Sequence, residues 1–130
     1  RFFTERASRY ACERSVFGRP IGQNQGIQFP IARNYVETEA AALMVLNAAR
    51  LFDAGKPCGS EANMCKLAGS EACIKAVDAS LQCFGGNGFT KEYGIFDLFP
   101  IARLMRTIPF NNEMIHNYIA EHVMGLPRSY

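Results

Sequence analysis

Residues 24–53, NQGIQFPIARNYVETEAAALMVLNAARLFD, contain one glycine, one proline and no cluster of turn-forming residues, so they read as a single long helix. Pro30 falls within the first two turns, where a missing N–H costs least if the ring sits near the helix start. Gly55-Lys56-Pro57 closes the helix, glycine and proline being frequent just past a C-terminus. Roughly thirty residues rising 1.5 Å each span about 45 Å. A chain of this length packed isotropically has a radius of gyration of about 14 Å, so the rod requires an elongated architecture. The expected fold is all-α, an elongated antiparallel four-helix bundle. Ala40-Ala41-Ala42-Leu43-Met44-Val45-Leu46 is apolar on every side. A helix of that kind is enclosed by protein, which places it either in the middle of the bundle or under another subunit.

Outward from this rod, Arg1 to about Phe17 reads as a helix with Phe3, Ala7 and Tyr10 on one face. No capping residue precedes Arg1, which predicts that the chain opens part-way along a helix and is a piece of a larger protein. Gly18-Arg19-Pro20-Ile21-Gly22 breaks the pattern. A third helix is expected from Ser60, with Ser60 as cap and Glu61 as a first-turn acid, to Phe84. Its alanines, including Ala68, Ala72, Ala76 and Ala79, recur near the helical period and let neighbours approach closely. Lys91 to Met105 reads as a short helix, and Asn111 or Asn112 caps a last one from Glu113 to Met124. No segment alternates at period two for long enough to predict a strand.

The 130 residues suffice for one core, and 48% apolar and 20% charged residues with a net charge of +2 describe a folding chain. The ten arginines are scattered from Arg1 to Arg128 without a run, which disfavours a nucleic-acid partner. No apolar stretch approaches about 18 residues, so no membrane span is expected. Charges throughout Arg1–Arg14 exclude a signal peptide, pointing to the cytoplasm or an organelle matrix. Five cysteines without a C-x-x-C favour small core side chains over disulfides or a zinc ribbon. His116 and His122, six apart, cannot form a helical metal pair, and no metal is expected.

Two stretches carry chemistry. In Glu13-Arg14-Ser15-Val16-Phe17-Gly18-Arg19-Pro20-Ile21, followed by Asn24-Gln25, an arginine at a helix end meets a glycine turn and amides at the next helix start. Guanidinium forks match phosphate oxygens and helix N-termini attract anions. The same residues also allow Arg14 to pair with Glu13 or a neighbouring helix and Phe17 to enter the core. In Gln82-Cys83-Phe84-Gly85-Gly86-Asn87-Gly88-Phe89, three glycines within four residues permit positive φ and close approach of a ligand. They equally describe a helix stop and tight turn.

Taken together, in this order, the two stretches resemble the C-terminal helical domain of the flavin-dependent acyl-CoA dehydrogenases. The likeness runs from the first helix to the last, through R-x-x-F-G-x-P-I, the alanine-rich helix ending at Ala-Gly-Lys-Pro, the S-E-A-C/A-x-x-A-x-D-A helix, and Q-x-F-G-G-N-G-F. It implies a domain covering residues 1–130, with an N-terminal helical domain and a middle β-domain absent from it. It further implies FAD between subunits of a homodimer or homotetramer, an acyl-CoA substrate, and an electron-transfer flavoprotein as partner. By position, Arg14 would reach the FAD diphosphate and Phe17 would pack on the cofactor. Asn24 and Gln25 would contact its adenosine half or ribityl chain. Gln82, Gly85 and Gly86 would contact it from a neighbouring subunit.

In the family a carboxylate takes the α-proton of an acyl thioester while hydride leaves the β-carbon for the flavin, a step needing a base about 3 Å from the proton. Most members carry that Glu before the last helix. Ungapped counting from Gln82 puts Pro109 there, and Pro109 cannot accept a proton. Phe110 then falls at the substrate, and Asn111, Asn112 and Glu113 align with an FAD-contacting turn. Glu113 lies about 6 Å further along the helix than the base position and also reads as a first-turn acid favouring the helix dipole. The base is therefore unassigned. It sits about 26 residues upstream of Arg14, as in a minority of the family, or another side chain replaces it, or the protein binds FAD without dehydrogenating. A catalytically silent, oligomer-building homologue is the alternative function.

Overall fold

The computed structural model describes residues 1–129. Its first helix, α1 (Phe2–Glu13), stops four residues earlier than the periodicity predicts. Arg14 is already extended (φ −74°, ψ 115°) and starts a minimal hairpin of β1 (Ser15–Val16) and β2 (Arg19–Pro20). The turn residues Phe17 and Gly18 have φ of 54° and 78°, the positive-φ pair a two-residue hairpin needs. Two-residue strands are too short for alternation to register, which is why the sequence predicts none. A 3₁₀ turn, Ile21–Gln23, follows. There Gly22 is required by packing, since a Cβ on it would lie 2.9 Å from the Ala11 carbonyl oxygen.

The long rod is present as α2 (Gln25–Asp53), running through Pro30. A chain reversal leads into α3 (Gly59–Phe84). The expected Ser60 cap is not used: Cys58 occupies the cap position and no side chain closes the helix start. Beyond α3, a 3₁₀ turn over Gly85–Phe89 and another over Phe96–Leu98 precede α4 (Phe99–Leu104), shorter than the Lys91–Met105 helix expected. The last helix is α5 (Asn112–Tyr118), passing into a π-helical turn over Ile119–Val123. Asn111 is its cap, with Oδ1 accepting the Met114 N–H at 2.8 Å.

Helices α2 and α3 form an antiparallel pair, held across its middle by Asn34 Nδ2 donating to the Lys75 carbonyl (3.2 Å) and by Lys75 Nζ with Glu37 (2.9 Å). Helix α1 runs antiparallel to α2, its start tied by Arg1 to Glu39 and its end against Gly22. It lies on the C-terminal half of α3, where Phe3, Ala7, Tyr10 and Ala11 meet Ala76, Val77, Leu81 and Phe84 in the main core. Tyr10 stacks on Phe84 at 4.1 Å between ring centroids, and Tyr93 closes the cluster edge-on. Helix α5 lies on the N-terminal half of α3, with Tyr118 beside Gly59 and Asn112 beside Ser70. The two ends of α3 therefore carry different partners, one helix from each end of the chain.

Two expectations about burial change. Of the cysteines only Cys83 is buried; Cys12 is exposed and the other three are half-buried. Alanine 41 is buried, but Leu43, Val45 and Leu46 are exposed, so the apolar stretch of α2 is not in the middle of this bundle. Among the described residues α2 packs chiefly on α3, with α1 and the Ile21–Gln23 turn beside it, and so few neighbours do not surround a helix. Phe29, Val36 and Leu43 form an exposed apolar stripe at seven-residue spacing.

Candidate functional site

Because α1 rests on the end of α3, the loop that leaves α1 meets the loop that leaves α3. A recess of about 330 Å³ forms there, lined by Arg14 and Val16 from one stretch and by Gln82, Gly85 and Gly86 from the other, with Tyr10 and Asn87 at its base. One chain thus brings together two motifs far apart in sequence, whereas the resemblance placed Gln82, Gly85 and Gly86 opposite Arg14 from a neighbouring subunit. Asn87 Nδ2 donates to the Tyr10 hydroxyl at 2.8 Å, which locks the glycine turn to α1. Under the floor, Cys83 points its thiol at the Ala7 carbonyl (3.5 Å), and burial pushes that thiol's pKa up.

Arg14 is exposed and does not pair with Glu13; among the described residues its guanidinium has no hydrogen-bonded or ion-paired partner. An arginine fork left open at the rim of a recess can donate hydrogen bonds to an anion. The glycines point the same way. Gly85 has φ 57° and needs to be glycine for its backbone alone. Gly86 has no positive φ, and a Cβ on it would meet nothing within 4 Å. Neither its own backbone nor its packing demands glycine at 86. Phe17, fully exposed at positive φ on the hairpin tip, is a strained apolar side chain without a pocket of its own.

The amide residues behave differently from one another. Asn24 is committed to the fold: its Oδ1 accepts from Arg19 (2.9 Å) and its Nδ2 donates to the Ile21 carbonyl (3.0 Å). Gln25 and Gln82 are exposed. Phe110, Asn111 and Glu113 are not part of this cluster. They sit by Ser70, and about 18 Å of helix rise separates Ser70 from Gln82 along α3. Phe110 is 62% exposed, Asn111 is spent as a helix cap, and Glu113 is an exposed first-turn acid. Pro109 follows a cis peptide bond in the same turn. A carboxylate close to this turn, Glu71, accepts from Asn112 at 2.8 Å and faces Arg106. A larger groove of about 780 Å³ along α1 and α2 contains none of the predicted residues. Among the described residues no three His, Cys, Asp or Glu side chains converge as a metal site.

The family pattern described as "Acyl-CoA dehydrogenase, C-terminal domain" matches residues 3–124. The chain belongs to the acyl-CoA dehydrogenase family. An acyl-CoA dehydrogenase of Mycobacterium tuberculosis is 46% identical over 132 residues, which is all of this chain and 34% of that protein. Among solved structures, one described as the electron transferring flavoprotein of Acidaminococcus fermentans superposes with a TM-score of 0.90 at 29% identity, over 94% of this chain and 32% of its own. PigA, solved with FAD and proline, gives 0.89 at 27% identity, over 95% of this chain and 32% of its own. The chain spans about a third of the length of the curated relatives it matches.

Sequence reasoning did not single out Tyr10 or Lys66. Tyr10 belongs to the apolar face of α1, and its hydroxyl contact with Asn87 depends on how α1 lies on α3. Lys66 is one charged residue of a helix, and periodicity does not reveal that its ammonium reaches the turn before α5.

Proposed function

We propose that this chain acts as the C-terminal helical domain of an FAD-dependent acyl-CoA dehydrogenase that removes hydrogen across the α and β carbons of an acyl-CoA thioester. N-terminal helical and middle β portions, as the relatives' greater length suggests, complete the protein. The observation that carries this reading is the recess where Arg14 stands open opposite Gln82, Gly85 and Gly86. Arg14 would hold the FAD diphosphate, Phe17 would cover the cofactor from the hairpin tip, and Gly85-Gly86 would let it lie against bare backbone. Gln25 and Gln82 would supply amide contacts, with Asn24 fixing the turn beneath them. When bound, FAD supplies the two-electron acceptor for the hydride leaving the β-carbon. Phe110, with exposed Ile108 and Met114 beside it, offers an apolar surface to the acyl chain, and Asn111 and Glu113 border the flavin at that end.

Because the recess opens to solvent and is small for a whole dinucleotide, the rest of the cofactor must be covered by other protein. The exposed stripe on α2 suits burial against a second copy, as a homodimer or homotetramer. Reoxidation by an electron-transfer flavoprotein, in the cytoplasm or a mitochondrial matrix, fits the family. A second reading is favoured by Pro109: with no carboxylate at that position, the protein could be a flavin-binding, oligomer-building homologue without dehydrogenase activity. The flavin absorbance of the protein, followed while a panel of acyl-CoA thioesters is added, separates the two. Bleaching by at least one thioester is expected; a yellow protein bleached by none refutes the enzyme reading and leaves the second.

A further inference from the structure

Away from the recess, the turn that carries Ile108, Pro109 and Phe110 is held from beneath by a polar network. Lys66 Nζ donates to the Phe110 carbonyl at 2.6 Å and to Asn112 Oδ1 at 2.7 Å. Asn112 is 1% exposed, and its Oδ1 also accepts from Ser70 Oγ (3.1 Å) while its Nδ2 contacts Ser70 Oγ (3.0 Å) and Glu71 Oε1 (2.8 Å). Arg106, at the other end of the turn, places Nε 2.7 Å from the same Glu71 oxygen. It pairs by charge without hydrogen-bond alignment, and its carbonyl accepts the Asn112 N–H at 3.0 Å. The side-chain contacts of Asn112 and Arg106 face down into α3. The upper surface of the turn is apolar and open: Ile108, Phe110 and Met114 are 42%, 62% and 53% exposed.

The seven residues between α4 and α5 bear a large exposed aromatic and have little apolar packing to fix them, so the shape of the turn depends on its hydrogen bonds. Those made to a charged donor are the strong ones. We propose that Lys66 is a positioning residue: by binding the Phe110 carbonyl and Asn112 together it holds the Ile108–Phe110 turn as a fixed apolar wall, and so sets which acyl chains the site accepts. The proposal rests on the placement of Phe110 at the acyl chain given above. It requires no catalytic contact from Lys66, whose ammonium is turned toward the backbone.

The test compares Lys66→Met, Phe110→Ala and the double variant in the FAD-carrying protein. Lys66→Met removes two charge-assisted bonds, so amide exchange at Ile108 and Asn112 is expected to quicken about tenfold or more, and KM for the preferred acyl-CoA to rise by a similar factor. The ranking of acyl-chain lengths should flatten, with kcat and the flavin spectrum held within about twofold. In the Phe110→Ala background the KM effect of Lys66→Met should largely vanish, because coupled residues are not additive. Should the Met variant fail to fold, Lys66→Gln, too short to reach the carbonyl, is read in the same way. Unchanged amide exchange overturns the proposal whatever the enzyme does. Faster exchange with an unaltered chain-length ranking, or additive KM effects, also overturns it when Phe110→Ala by itself alters the ranking. If Phe110→Ala leaves acyl-CoA kinetics untouched, the placement of Phe110 itself fails and the proposal falls with it.

Discussion

Replacing Arg14 by Ala should separate cofactor binding from folding. The side chain is exposed and among the described residues makes no ion pair or hydrogen bond, so its loss should change stability by no more than about 0.5 kcal/mol. Its backbone role survives, since the N–H to the Tyr10 carbonyl and the carbonyl to the Ile21 N–H, both 2.8 Å, need no particular side chain. If the fork holds a diphosphate, a hydrogen bond to a charged group is lost, worth about 1.5–3 kcal/mol. At 1.4 kcal/mol per decade, FAD affinity should fall roughly 10- to 100-fold. Arg14→Lys keeps the charge but not the fork and should fall between the two. Titration of apo-protein with FAD, followed by flavin fluorescence, gives the affinity, and a thermal melt without FAD gives the stability. Unchanged FAD affinity in Arg14→Ala, or a melting temperature that drops as far as the affinity does, refutes the assignment.

The two glycines should respond differently. Gly86→Ala should leave the apo-protein's melting temperature nearly unchanged yet weaken FAD retention on gel filtration, whereas Gly85→Ala should also cost about 1–2 kcal/mol of stability from its positive φ. Equal destabilisation by both would show that Gly86 is there for the fold. Leu43→Glu, at a 67% exposed position, should leave secondary structure intact and reduce the assembled mass in light scattering; an unchanged mass would free the α2 stripe from any role in assembly. Burial pushes the Cys83 thiol above its ordinary value of about 8.5. The unfolded chain then ionises first, so native stability should fall as pH rises above about 8.5. Cys83→Ala should flatten that slope in a series of melts, and an identical slope would count against a buried neutral thiol.

Long-range order in this protein was legible where local chemistry and global packing agree. The rod from residue 25 to 53 is helical because nothing in it competes with a helix, and its ends carry their own stop signals. Both glycine motifs could be found in the sequence, since clustered glycine beside arginine or glutamine is unusual on grounds of backbone freedom alone. The hairpin at Ser15–Pro20 was not legible, because two-residue strands leave no period to detect. Nor was the Cys58 start of α3, where Ser60 offers a better cap but the chain reversal after Pro57 sets the first turn. The apolar stretch Ala40–Leu46 announced that it would be covered, without saying by what.

By itself the amino-acid order determined which segments are helical, which bends are sharp, and which residue types stand at each bend, since these follow from periodicity, propensity and steric freedom within a few residues. Only the tertiary structure decided that Arg14 has no partner among the described residues, that a side chain at Gly86 would meet open space, and that Lys66 reaches under Phe110. Those facts depend on how α1 and α5 settle on opposite ends of α3. That arrangement comes from the summed packing of many side chains distant in sequence, which no local pattern encodes.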